Sequence, residues 1–395
     1  MLLVLADDFS GAAEIAGIGH RYGLNTEIQL KPDFNTHADL IVLDTNTRSS
    51  SADQASKKIS EIGALIKRWN RPIHLFKKID SVMRGHLIAE INALQDCFVF
   101  NRIFLLPANP GRGRKILEGR YFVDGIPLDK TAFAHDPDFP VLSSAIASRI
   151  ISPALTHVHA NPDEILPSRA LITGDVMSRD DLKKYAAAST DDDLCCGAAE
   201  LFECYLERLG YHATRERSIA EGGAAFTLIM NGTTVKNSLE KEMYDGLNIP
   251  HLPLPGSFHE SKFQVQEKEI YEWQQKVLST LQSRRIAVVT IDHPVQHNKI
   301  TSQLFLNYFA QLMTHITSNI DMNKIHFCLT GGATASFVMA QYGYSKWYVH
   351  EEVVPGVVSL AAGTDKVSGS LFTIKPGSYP WPESFMTNLQ PSTEK

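Results

Sequence analysis

The sequence offers little that would carry the chain out of water. No run approaching eighteen uninterrupted apolar residues occurs in its 395 positions, which excludes the ordinary membrane-spanning helix. The opening MLLVLADDFSG is apolar for only a few residues before Asp7 and Asp8, and it has no basic start. We therefore expect neither a span nor a signal peptide there, and a cytoplasmic protein. Positive charge is also short: 38 Lys and Arg stand against 44 Asp and Glu, a net charge of -6. That gives no footprint for a phosphate backbone or an anionic lipid surface, so neither nucleic acid nor membrane is expected as a partner. Cysteine is scarce, five in all, with Cys195 and Cys196 adjacent and no C-x-x-C pair. Such usage reads as reduced and cytosolic. Internal repeats and low-complexity tracts are lacking too.

What is present is the composition of a folded protein, 44% hydrophobic and 21% charged, in a chain long enough for two domains. Up to about position 210, strand-like runs (2–5, 26–30, 40–43, 73–76, 103–106 and 170–173) alternate with helical stretches. This is the pattern of a mostly parallel sheet flanked by helices. Ser10 can cap a helix closed by Gly23, and Ser51 or Asp53 can start another that runs to Trp69. The Pro-, Asp- and His-rich stretch from about 124 to 168 reads as an excursion from the sheet. A second α/β unit begins near 222, with strands in AAFTLIMN, IAVVTID and IHFCLT and closing turns in VVPGVVSL and KPGSYPWPE. The domains expected are 1–215 and 222–395.

In open α/β sheets ligands bind beyond the carboxyl ends of strands, so those ends carry the chemistry. The first run ends in Asp7 and Asp8, adjacent carboxylates that repel unless a cation, donor or substrate hydroxyl holds them. A helix cap plus a solvated acid explains them equally well. The stretch KKIDSVMRGH places Asp80 and Ser81 at a strand end, with Arg84 near the start of the next helix, suited to a substrate carboxylate. Lys77 and Lys78 alternate, so at most one can face a given site. In PANPGRGR, glycines permit close backbone approach while Asn109 and Arg112 supply donors. Acids, a hydroxyl, an amide and guanidinium groups at three strand ends fit a small, hydroxylated, anionic substrate. In the second unit CLTGGATAS puts glycines between a strand and a helix, where backbone N–H groups can bind phosphates. It is neither a P-loop nor a dinucleotide fingerprint. His157 and His159 would share a face if THVHA were a strand, but without a third ligand a solvated loop is the better reading, and no metal site is assigned.

The ordered motifs ADDFSGA, KKIDSVMRGH and PANPGRGR, followed by GGATA, PGVV and KPGSY, resemble the four-carbon acid sugar kinase family over almost the whole chain. The resemblance implies an amino-terminal domain for the acid sugar, a carboxyl-terminal domain for ATP with Mg2+, and an active site in the cleft between them. It implies phosphorylation of the terminal hydroxyl of D-threonate, D-erythronate or 3-oxo-tetronate, and permits a homodimer. It assigns Asp7, Asp8, Asp80, Ser81 and Arg84 to the acid side, and Thr233, Gly331, Gly332, Ala333, Thr334 and Gly377 to the nucleotide side. Asp8 or Asp80 would orient the attacking hydroxyl, and Arg84 would hold the acid group. The chain departs from the family pattern at Ala333, where an acidic residue is common, and at Pro380, which lacks a backbone donor. Those departures motivate one rival, a sugar-acid-binding protein with a decayed nucleotide site. The other is a metal-dependent hydrolase or lyase.

Overall fold

The structure is a computed structural model, and it describes the chain except residues 70, 137, 151–155, 217–223, 233–237, 260–261, 293–298, 363–369, 378 and 390–395. It divides into two compact units, Met1–Arg215 and Glu216–Lys395.

The first unit runs through strands β1 (Leu2–Ala6), β2 (Thr26–Gln29), β3 (Leu40–Asp44), β4 (His74–Lys78) and β5 (Arg102–Leu106). An antiparallel three-stranded excursion follows, β6 (Arg114–Leu117), β7 (Arg120–Val123) and β8 (Ile126–Pro127), and then β9 (Thr156–His159), β10 (Ala170–Thr173) and β11 (Leu194–Gly197). Eight strands lie side by side, all parallel, in the order β2, β3, β1, β4, β11, β5, β10, β9. Helices α1 (Phe9–Arg21), α2 (Ala52–Trp69), α3 (Leu87–Cys97), α4 (Arg179–Ala188) and α5 (Ala199–Arg208) cover them. All five residues of β1 are buried, which is why a continuous apolar run rather than an alternating one encodes it. In α2 the buried Ala55, Ile59, Ile62 and Ile66 recur every three or four residues, the stripe of a helix with one wet face.

Lys77 and Lys78 show that the sheet is covered on both sides. Lys77 pairs with Glu90 of α3 at 2.7 Å, and Lys78 reaches Glu14 of α1 at 3.3 Å. Both lysines are therefore structural, each neutralised on its own face. From β1 the chain crosses to β2, steps back to β3, and passes over β1 to β4. The carboxyl ends of β3, β1 and β4 are neighbours at this reversal, the switch point at which such sheets bind ligands.

Three local readings need correction. The excursion begins earlier than position 124, with β6 and β7. Thr156–His159 is a strand at the sheet's edge, not a solvated loop. Finally β11, only the four residues LCCG, sits between β4 and β5; its brevity and terminal glycine hide it from pattern reading.

The second unit contains β12 (Phe226–Asn231), α6 (Ser238–Gly246), the hairpin β13 (Ser257–His259) and β14 (Lys262–Gln264), α7 (Glu267–Arg284), β15 (Ile286–Thr290) and α8 (Lys299–Thr317). It continues with β16 (Ile325–Thr330), α9 (Gly332–Gln341), β17 (Lys346–Val354), β18 (Val357–Ala362), β19 (Leu371–Lys375) and α10 (Glu383–Asn388). Strands β15, β12, β16 and β19 are parallel neighbours, and β18 and β17 extend them antiparallel. The PGVV motif is thus the turn and second strand of a hairpin, with Gly356 at φ 80. Ile229, Val288 and Cys328 of the sheet pack with Tyr244 of α6 and with Trp381 and Phe385. The α/β class expected from the sequence, with mostly parallel sheets, is what the chain forms.

Candidate functional site

Strand β1 ends at Ala6 and α1 begins at Phe9, so Asp7 and Asp8 occupy the turn between them. Asp8 caps the helix: its Oδ1 accepts the Gly11 N–H at 2.9 Å and its Oδ2 the Ser10 hydroxyl at 2.7 Å. The cap is therefore Asp8, in place of the expected Ser10. The cation that both acids require is Arg48, from the loop after β3. Its Nε and Nη2 donate to the two oxygens of Asp7, each at 2.8 Å, and its Nη1 donates to Asp8 at 2.7 Å. The same Nη1 stands 3.7 Å from Asp80 Oδ1. One guanidinium thus ties together acids from two adjacent strand ends, at β1 and β4. Arg48 was missed by the sequence reading, although TNTRSS follows a strand end as the other motifs do.

Asp80 is held still more fully. Arg84 donates through Nε at 3.1 Å and Nη2 at 2.7 Å, and the backbone N–H groups of Val82 and Arg84 add two bonds at 3.1 and 3.2 Å. Arg84 therefore spends its fork on Asp80; its Nη1 lies 3.7 Å from Asp136 and the side chain keeps 31% exposure. Burial works against charge on Asp80, but Arg84 and Arg48 outweigh it and hold its carboxyl well below the usual range. Asp7 behaves alike, with burial overcome by Arg48 and then Lys77. Asp44, at the end of β3, goes the other way. Burial pushes it up to about 7, aided by Asp8 and Asp7 and opposed by the Asn46 N–H at 2.9 Å. Its Oδ2 has no hydrogen-bond partner.

The excursion after β5 packs onto this site. Tyr121 of β7 donates its hydroxyl to the Ser81 carbonyl, with Pro107 O a further 3.4 Å contact. Arg149 donates to the carbonyls of Val82 and Met83 at 3.3 and 3.0 Å, and the Arg84 guanidinium lies 5.9 Å from the Phe133 ring centroid. Ser81 sits in this clamped loop. Beyond β5, Pro110–Arg112 forms a single 3-10 turn that places the partly buried Arg112. Asn109 is buried and its Oδ1 has no hydrogen-bond donor among the described residues. His86 is structural, its Nε2 bonded to Ser50 O at 2.7 Å. His157 and His159 meet Thr173 at 2.8 and 3.2 Å, and His159 meets Asp175 at 2.9 Å.

In the second unit Gly331 joins β16 to α9 with φ 95, a conformation natural only to glycine. Its N–H donates to Lys375 O at 2.9 Å. Gly332, Ala333 and Thr334 form the first turn of α9, whose leading N–H groups have no carbonyl within the helix. Gly232 faces this turn, and a Cβ there would collide with Thr334 Oγ1. Gly377 lies two residues past β19, after Pro376. Thr233 lies outside the described residues. Beside the loop, buried Lys375 pairs with Glu240 at 2.9 Å and donates to Tyr379 O at 2.6 Å.

Residues 2–204 match the family model described as a sugar-binding N-terminal domain. Among curated proteins, the chain is 37% identical over 153 residues to a D-threonate kinase of Salmonella typhimurium, a match covering 37% of this chain and 35% of that one. It is 24% identical over 420 residues to a 3-oxo-tetronate kinase of Haemophilus influenzae, covering 96% of this chain and 97% of the relative. A crystal structure of a Haemophilus influenzae protein of the DUF1537 family superposes with a TM-score of 0.69 at 19% identity, over 98% of each chain, and so shares the fold. With half of its length matched by that model and its switch point built from the motifs described above, the chain belongs to the sugar-binding N-terminal domain family.

Proposed function

We propose that this protein is an ATP-dependent kinase that phosphorylates the terminal hydroxyl of a four-carbon sugar acid: D-threonate, D-erythronate or 3-oxo-tetronate. The observation that carries the reading is the cluster of Asp7, Asp8 and Asp80 around Arg48 at the switch point of the sugar-binding unit. The names of the relatives supply the reaction: one kinase aligns along nearly the whole chain. In this reading residues 1–215 bind the acid and 216–395 bind the nucleotide.

Phosphoryl transfer asks a protein mainly for positioning and charge stabilisation. Asp8 is the better candidate to orient the attacking hydroxyl, since Asp80 already accepts four hydrogen bonds. Asp80 positions Arg84, whose remaining N–H edge takes the substrate carboxylate. Asn109 Oδ1, buried without a donor, accepts a substrate hydroxyl, with Ser81 and Arg112 beside it. The turn that Gly331 opens holds phosphates through the backbone N–H groups of Gly332, Ala333 and Thr334, with Gly377 contributing from the segment after β19, so Ala333 costs nothing there. Among the described residues no three His, Cys, Asp or Glu side chains are arranged to hold a metal ion. A protein-built cage for Mg2+ does not fit them, and an ion carried on the phosphates is the form consistent with that donor set.

The test is ADP release with the purified protein against D- and L-threonate, D- and L-erythronate and the 3-oxo acids. ATP consumption that appears only with one of these acids is the expected result. Turnover of an acid without nucleotide would replace the kinase by a hydrolase or lyase. Nucleotide-independent binding of an acid, with no ATP affinity by calorimetry, would make it a binding protein.

A further inference from the structure

A cavity of about 460 Å3 lies in the second unit between α6 and the segment that follows β19. Resting on the kinase reading, we propose that it takes the base of the donor nucleotide, a purine presenting an amino group. The volume lies within the roughly 300 to 1,000 Å3 of small-molecule sites. Met243, Leu247 and Trp381 supply apolar wall, and Glu240, Glu242 and Glu383 supply carboxylates.

Charge decides the kind of occupant. Among the described residues that line the cavity none is a cation; Lys375, whose ammonium lies 5.3 Å from the Trp381 ring centroid, is engaged by Glu240 at 2.9 Å and Tyr379 O at 2.6 Å. With Glu240 paired to Lys375, Glu242 and Glu383 leave the lining negative, which disfavours phosphate or a sugar acid. A neutral flat heterocycle that donates from an amino group is not disfavoured. Trp381 adds an independent sign: it is 3% exposed and its indole N–H has no hydrogen-bond partner. A buried donor of that kind calls for an acceptor, which a ring nitrogen supplies.

The cavity is also wired to the glycine turn. The carbonyl of Lys375 accepts the Gly331 N–H at 2.9 Å, while its ammonium reaches Glu240 at the cavity. Strands β16 and β19 are paired neighbours in which Thr330 stands opposite Lys375, so the residue before the glycine turn and the residue whose ammonium meets Glu240 lie about one strand spacing apart at the backbone, close to 5 Å.

Gly246 gives a direct test, because it lines the cavity and a Cβ added there meets no atom within 4 Å. In the full chain, Gly246→Phe should raise KM for ATP at least tenfold. The inhibition constant of tripolyphosphate, which has no base, should stay within twofold, as should KM for the acid. Wild-type protein should use ITP, which carries an oxo group in place of the amino group, at least tenfold less efficiently than ATP. Photolabelling of wild-type protein with 8-azido-ATP should mark peptides within 240–247 or 380–383, a readout that needs no variant. An unchanged KM for ATP, equal weakening of tripolyphosphate, equal use of ITP or labelling elsewhere overturns the cavity assignment while the kinase stands. If wild-type protein neither binds nor consumes ATP with any acid, the kinase reading itself fails and the assignment falls with it.

Discussion

Three carboxylates at neighbouring strand ends repel one another unless a cation stands among them, and Arg48 does so with three donors on two acids. Asp44 is the acid that this arrangement leaves out. Its folded carboxyl titrates at about 7 against an ordinary 3.8, so between those values the folded chain keeps a proton that the unfolded chain has released. Stability from this group therefore falls as pH rises through that window and is lowest above it. Asp44→Asn keeps an acceptor for the Asn46 N–H and removes the buried charge. We expect it to stabilise the protein more at pH 8 than at pH 5, by about 2 to 3 kcal/mol, in urea unfolding at both values. An equal change at the two would show that Asp44 does not titrate there. Asp7, Asp8 and Asp80 were legible in the sequence because each follows an apolar run. Arg48 was not, because a single Arg in a Ser- and Thr-rich turn resembles any surface loop until its partners on another strand are known.

At the scale of elements, the loop after β4 is shaped as much by backbone as by side chains. Met83 and Gly85 both have positive φ, 62 and 96, and a Cβ on Gly85 would come within 2.9 Å of Asp7 Oδ2. Gly85→Ala therefore strains the turn by about 1 to 2 kcal/mol and pushes on the carboxylate that Arg48 holds. Its expected effect is a rise of about tenfold in KM for the acid, with KM for ATP unchanged and a native circular dichroism spectrum. A variant equal to wild type in acid affinity would separate Asp7 from the substrate. The long parallel strands were readable from their buried apolar runs. Strand β11 was not, because four residues carry too little period, and β17 and β18 were not, because Pro355-Gly356 reads as a closing turn until strands are seen on both sides. The excursion after β5 was recognised only in part, since its short antiparallel strands lack a continuous apolar face.

For the molecule as a whole, each compact unit carries one candidate function, and amide hydrogen exchange on the intact chain can assign them separately. A sugar acid should slow exchange around 7–11, 44–48 and 79–86, and ATP around 331–335 and 375–381, each leaving the other unit nearly unaffected when added alone. Protection of the first unit by ATP alone would redraw that division of labour. The two compact units were expected from the sequence, and the division of labour proposed for them rests on motif acids and arginines that lie before position 215 and a glycine turn that lies after it. The cavity beside α6 was not legible in the sequence, since its walls come from segments more than a hundred residues apart, which no local pattern joins.

The clamp of Arg149 on the loop after β4 has a consequence in time. The carbonyls of Val82 and Met83 wait for a partner 67 and 66 residues further along the chain. During synthesis, the strands that carry Asp7, Asp8, Arg48 and Asp80 leave the ribosome well before the residue that fastens their loop. The aspartate–arginine cluster is therefore assembled in two stages, first its charges and later its shape. A nascent chain halted before position 149 would possess every carboxylate of the cluster and lack the fastening that gives them a fixed geometry.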